Sequence, residues 1–114
     1  MLDINLEFVR GMLFVRLEGI LDSKTYTKLS DCLDTMIHEK GLKYFVINLE
    51  YLDFIDERGI QAIIDRYFDV TLHDGKLVVC GYNNQFNSNL EIENAFEQID
   101  KTNNELSALK LINL

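Results

Sequence analysis

Leu2, Ile4, Leu6 and Phe8 alternate with Asp3, Asn5 and Glu7, the period of two that predicts a strand with one buried face. Arg10-Gly11 permits a reversal. In the next segment Leu13, Val15 and Leu17 share a face while Arg16 and Glu18 point away, which predicts an antiparallel hairpin ended by Gly19. The period then changes: after Asp22 or Ser23 as N-cap, Tyr26, Leu29, Cys32, Leu33, Met36 and Ile37 fall on one helical face, with Lys40 and Gly41 marking the stop. Tyr44 to Leu49 is an apolar run broken only by Asn48, as expected of a central strand covered on both faces. The helix between them makes this strand parallel to the one before it.

A loop from Glu50 to Ile55 then leads to a second helix, capped by Asp56, whose buried stripe is Ile60, Ile63, Ile64, Tyr67, Phe68 and Thr71. Asp74-Gly75 supplies the following turn, and Leu77 to Cys80 is another short apolar strand. Past Gly81, Asn83, Asn84, Asn87 and Asn89 surround Phe86 and Leu90 at helical spacing, which predicts a short helix. Thr102 and Glu105 read as the capping box of a last helix, with Leu106, Leu109 and either Leu111 or Ile112 as its stripe. The fold class is α/β: a four-stranded mixed sheet begun by an antiparallel hairpin and continued by parallel strands joined through crossover helices, with about four helices. Residues 1–114 make a single domain. Sites on open sheets of this kind lie at the carboxyl ends of the strands, so the loops of interest are Gly19 to Ser23, Glu50 to Gly59 and Gly81 to Asn84.

Composition narrows the function. Eleven basic residues against 19 acidic ones give a formal charge of −8, and Arg10, Arg16, Arg58 and Arg66 are scattered, which excludes the clustered positive charge of a nucleic-acid binder. The longest strictly apolar runs, such as Met12 to Val15, have four residues, far short of a membrane span. No secretory leader is readable, so the cytoplasm is the expected location. Cys32 and Cys80 sit in apolar settings and read as buried thiols. Phosphate-cradling and dinucleotide-binding glycine motifs are missing. His38, in the last turn of the first helix, and His73, before a turn, read as separate residues near helix ends, so no metal site, Cys-His pair or cofactor is expected. The chain reads as non-enzymatic. An enzyme would need an acid/base pair such as Asp22 with Asp56, and no nucleophile accompanies one.

The dense polar cluster is Asp56-Glu57-Arg58-Gly59, at the start of the second helix, where free backbone N–H groups and the dipole favour negative charge. Asp22-Ser23 opens the other long helix. Each serves ordinary helix capping, but both follow parallel strands and so should share one edge of the sheet.

Four stretches, in order, resemble a known family. Leu17-Glu18-Gly19-Ile20-Leu21-Asp22 resembles the Leu-x-Gly-x-Leu-Asp of STAS domains of the anti-sigma factor antagonist type. Val46-Ile47-Asn48-Leu49 and Leu52-Asp53-Phe54-Ile55-Asp56 are similar to its Val-x-Asn-Leu and Leu-x-Phe-x-Asp, Gly59-Ile60 to its helix-opening Gly-Leu, and Leu77 to Gly81 to its last core strand. The resemblance implies a partner-switching protein that captures an anti-sigma factor, itself a serine kinase, and is inactivated when that kinase phosphorylates the Ser or Thr after the motif Asp. Here that position is Glu57, followed by Arg58. Three readings stay open: a permanently mimicked phosphorylated state, a surface whose Glu57 is neutralised by Arg58, or a drifted signalling role. The expected partner-binding residues are Asp22, Ser23, Asp56, Glu57, Arg58, Gly59 and Gln61, with Asp65 beside them; Ser23 and Thr25 are the alternative hydroxyl acceptors. Asp22 and Asp56 would hold the loops, Glu57 and Arg58 set the charge, and Gly59 allow close approach. The exposed hairpin strand leaves a homodimer open. Relatives of the same fold linked to transporters and lipid systems make a small-molecule or lipid-sensing carrier module the alternative.

Overall fold

The computed structural model describes residues 1–81 and 94–113. Strand β1 (Leu2–Val9) pairs antiparallel with β2 (Met12–Leu21), and β3 (Tyr44–Ile55), β4 (Lys76–Cys80) and β5 (Asp100–Thr102) follow in parallel, in the order β1-β2-β3-β4-β5. Helix α1 (Tyr26–Asp34), extended by a π-helical turn over Thr35–Glu39, joins β2 to β3; α2 (Glu57–Leu72) joins β3 to β4; α3 (Glu105–Ile112) follows β5. The expected hairpin, parallel strands and crossover helices are present. A fifth strand corrects the expected four: Asp100–Thr102, three residues long, is too short to carry an apolar alternation and pairs, among the described residues, with β4 alone. The described residues hold three helices, and the short helix expected around Phe86 and Leu90 lies outside them, as does most of the Gly81 to Asn84 loop.

Alternation along the central strands sorts two cores. Phe45, Ile47 and Leu49 of β3 join Val15 and Leu17 of β2 and Leu77 and Val79 of β4 under Leu29, Leu33 and Ile37 of the first crossover and Ile60 and Ile63 of α2. On the other face Met12, Phe14, Val46, Val78 and Cys80 pack against Ala108, with Leu109, Leu111 and Ile112 around it. The apolar run of β3 is therefore covered from both sides, as its composition predicts. Cys80 is free and buried, and burial, foremost, pushes its thiol up to about 12.

Two expected boundaries move, and one buried stripe changes. β2 does not end at Gly19 but runs on to Leu21, because Gly19, at φ +99, lets the chain pass against the Met1 carbonyl, which receives the Ile20 amide at 2.9 Å. Glu50 to Ile55 is not a loop but the second half of β3, paired through Tyr51↔Glu18, Leu52↔Gly19, Phe54↔Ile20 and Ile55↔Leu21. Two register shifts there insert extra residues into β3, so burial falls on Leu52 and Ile55, three residues apart, and the alternation that would reveal a strand is lost. In α2 the buried positions include Ala62 and Val70, while Phe68 and Thr71 are exposed. Gly41 does act as the stop of the first helical segment: it takes φ +68, and Leu42 N donates to Met36 O at 3.0 Å, closing the end in a left-handed cap.

The last helix starts differently from the expected box. Asn104, not Thr102, is its N-cap, its side-chain oxygen accepting from Ser107 N at 2.9 Å. Glu105 turns inward instead and receives Arg16 through two bonds of 2.7 and 2.8 Å and the Asn48 amide at 2.8 Å, while Arg16 also donates to Glu7 at 2.7 Å. Asn48, the buried polar residue on the sheet face beneath α3, is thereby satisfied, its oxygen taking Glu50 N at 2.9 Å. The Arg16 hydrogen bonds, foremost, hold the Glu105 carboxyl below the usual carboxylate range, with partial burial opposing them.

Candidate partner-binding surface

β2 and β3 run parallel and end at Leu21 and Ile55, so the segments that follow them leave the sheet at one rim. The two starts are joined directly. Asp56 N donates to Leu21 O at 3.2 Å, and the Asp56 carboxylate takes Gly59 N on Oδ1 at 2.8 Å and Ser23 N on Oδ2 at 3.1 Å. One side chain thus caps α2, as expected, and ties the preceding turn of α1 to it. Gly59 lies where a Cβ would run into the Leu21 carbonyl oxygen and stand 2.8 Å from Leu21 Cγ, so α2 seats on the end of β2 through a residue without a side chain. Gly59 is buried, and its close approach is made within the fold.

Asp22 and Ser23 are not the N-cap of α1; that position is Thr25, which makes no side-chain cap bond. Asp22 forms a turn one step earlier, where its carboxylate accepts from Lys24 N at 2.9 Å and Thr25 N at 3.1 Å, and the Thr25 hydroxyl accepts from Asp22 N at 2.9 Å while donating to Ile20 O at 2.8 Å. The Lys24 amide, foremost, together with the Thr25 hydroxyl and amide, holds the Asp22 carboxyl below the usual carboxylate range against partial desolvation. Ser23 enters through its backbone amide and is exposed.

Glu57 is exposed in the first turn of α2, and its side chain has no hydrogen bond or ion pair among the described residues. Arg58 does not close over it. Its guanidinium carbon lies 4.1 Å from the Tyr26 ring centroid, a cation–π contact reaching across to α1. Gln61 donates to Asp65 at 2.8 Å one turn along. Asp56, Glu57, Arg58 and Gln61 line an open concavity of about 560 Å³.

All the residues expected at the site therefore gather at one rim. Thr25, expected only as an alternative hydroxyl acceptor, proves to tie Ile20 to Asp22 through its hydroxyl, and the residue missed from the sequence is Tyr26, the platform under Arg58. An acidic residue followed three positions later by Thr is a signal for that tie. The helical spacing places Tyr26 in the buried stripe, whereas it is half-buried and its ring face meets Arg58.

The STAS domain family model matches residues 3–108. An anti-sigma F factor antagonist of Paenibacillus polymyxa is 32% identical over 108 residues, covering 95% of this chain and 92% of that relative. Among solved structures, the anti-sigma factor antagonist SpoIIAA in its unphosphorylated form superposes with a TM-score of 0.77 at 19% identity, covering 97% of this chain and 98% of that one. A serine-to-glutamate form of Moorella thermoacetica RsbS reaches a TM-score of 0.82 at 17% identity, over 96% and 94% of the two chains. With a family match along nearly its whole length and an antagonist relative of that identity, this chain belongs to the STAS domain family.

Proposed function

We propose that this chain is a binding module of the anti-sigma factor antagonist type, acting without catalysis, that captures an anti-sigma factor with serine-kinase character through the rim of Asp22, Ser23, Asp56, Glu57, Arg58 and Gln61. Gly59 seats the helix behind that rim. The observation carrying the reading is the Asp56 carboxylate shared between Gly59 N and Ser23 N, which makes one surface from two helix starts. The antagonist relative from Paenibacillus polymyxa supports the choice of partner.

In this reading the rim has one fixed state. Glu57 occupies the position after the motif Asp and offers no hydroxyl to phosphorylate. Its charge is about −1, against roughly −1.5 to −2 for a phosphoserine, and it brings two acceptor oxygens rather than three. Arg58 is engaged by Tyr26, which argues against neutralisation of Glu57 and for a constantly acidic helix start. Capture is then independent of ATP.

The test is binding of the cognate anti-sigma kinase to the purified chain, with and without ATP, followed by calorimetry and by phosphopeptide mapping. The wild-type complex should persist in ATP with no phosphate at position 57, and Glu57→Ser should make it dissociate in ATP as phosphate appears there. A wild-type chain that fails to bind while Glu57→Ser binds would mean a permanently released form and would overturn capture. Binding indifferent to both ATP and the substitution would remove the rim from the mechanism.

A further inference from the structure

At the opposite end of α2 from the rim, about 24 Å along a helix of this length, His38, Asp69 and His73 converge. The sequence places the two histidines on separate elements, 35 positions apart; the packing of α1 on α2 brings them together. The His38 and His73 ring centroids are 4.9 Å apart at 82°. His38 Nε2 lies 2.9 Å from Asp69 Oδ2, and His73 Nδ1 lies 3.5 Å from Asp69 Oδ1 and 2.8 Å from the Asp69 carbonyl oxygen. One ligating atom from each side chain falls within 4.8 Å of the others.

We infer that this cluster is a binding site for a divalent transition-metal ion of the zinc type. Two imidazoles and one carboxylate are the donor set such ions prefer, whereas magnesium and calcium prefer oxygen alone. Zinc ligands at 2.0 to 2.2 Å from the ion stand about 3.4 Å apart in a tetrahedron, so ligating atoms that lie within 4.8 Å of one another need to close by at most about 1.4 Å. The side chains can do so, since His38 is 41% and His73 50% exposed, while Asp69, at 17%, is the fixed point between them. His73 Nδ1 stands 2.8 Å from the Asp69 carbonyl oxygen; a ring that donates this bond offers Nε2 to the ion, as metal-ligating histidines do, and a ring that turns away from it offers Nδ1. His38 stands in the π-helical turn, a widening frequent at functional positions. Metal binding displaces the His38 Nε2 proton shared with Asp69, which leaves to solvent or moves to Nδ1. Water completes the coordination.

Neighbouring charges set the affinity. Asp34 lies 3.5 Å from His38 Nε2 and favours a cation, while Arg66 lies 3.6 Å from Asp69 and 3.2 Å from Asp34 and opposes one. A bound ion would staple the π-helical end of the first crossover to the end of α2 without touching the rim.

The probe is zinc chloride titrated calorimetrically into the full chain in a buffer that does not chelate, with magnesium chloride as comparison. One zinc per chain is expected, with no magnesium uptake and a raised melting temperature in zinc. His38→Ala and His73→Ala, folded by circular dichroism because both side chains are exposed, should each weaken zinc binding at least about tenfold and lose the thermal shift. No stoichiometric uptake by the wild type, or uptake unchanged in the two variants, would overturn the site.

Discussion

Asp56 has two acceptor oxygens on two different backbone amides, one inside its own helix and one across the rim. Replacing it with alanine leaves both donors without that partner and removes a helix cap, so Asp56→Ala should lower unfolding free energy by about 1 to 2 kcal/mol in a urea titration. Asp56→Asn, which keeps one carbonyl oxygen for the Gly59 amide, should lose less. Equal losses would mean that the bond to Gly59 contributes nothing, and an Asp56→Asn chain as stable as the wild type would mean that the cross-rim bond does not. Ser23 contributes its amide and not its hydroxyl to this contact, so Ser23→Ala should leave stability within about 0.5 kcal/mol of the wild type, as surface changes away from caps do.

Among the elements, α3 offers a clean choice between two ways of starting a helix. Asn104 bonds Ser107 N, whereas the Thr102 hydroxyl reaches only the Asn104 carbonyl, at 3.1 Å. Asn104→Ala should therefore cost about 1 kcal/mol, and Thr102→Ala only a small part of that, by denaturant midpoint at constant slope. The spacing of Thr102 and Glu105 fits a capping box, yet tertiary pairing with Arg16 claims the glutamate. The same competition decides what is legible in this chain. Elements with undisturbed periods, α1 and the core of β3, can be read directly from their apolar positions, and so can the capping role of Asp56; β1 is legible as a strand, but of its expected buried face only Leu2 is buried and Ile4 partly so, while Leu6 and Phe8 are exposed. The second half of β3 cannot, because two bulges replace alternation by a spacing of three. Nor can β5, which is too short to show a period, or the Arg58–Tyr26 contact, which needs two helix starts side by side. The rim itself was legible, because parallel strands must deliver their following segments to the same edge. The meeting of His38 with His73 was not, because it depends on which turns of two helices face each other.

At the scale of the whole molecule, the polar ladder Glu7–Arg16–Glu105–Asn48 ties the edge strand, the two central strands and α3 together. The Arg16 and Glu105 side chains are 31% and 27% exposed, so solvent screens the pair only in part. Glu105→Gln should cost about 1 to 2 kcal/mol at neutral pH by urea unfolding. The sign of the pH effect follows from the lowered carboxyl. A group held below its unfolded value contributes fully above the ordinary glutamate range, about 4.3, and loses that contribution as pH falls through its folded value. The gap between wild type and Glu105→Gln should therefore be constant from about pH 6 to 8 and shrink below about pH 4. A gap that stays open in acid would mean that the substitution acts through packing rather than charge.

Ser23 and Asp56 stand 33 positions apart and touch only because β2 and β3 lie side by side with a whole helix looped between them. Contacts of such separation come late, after the entropy of closing a long chain segment has been met. A partner reading both tips would consequently ignore a chain in which these strands have not yet paired, and equally any proteolytic fragment that carries one tip without the other. Recognition would double as a check that β2 and β3 have paired.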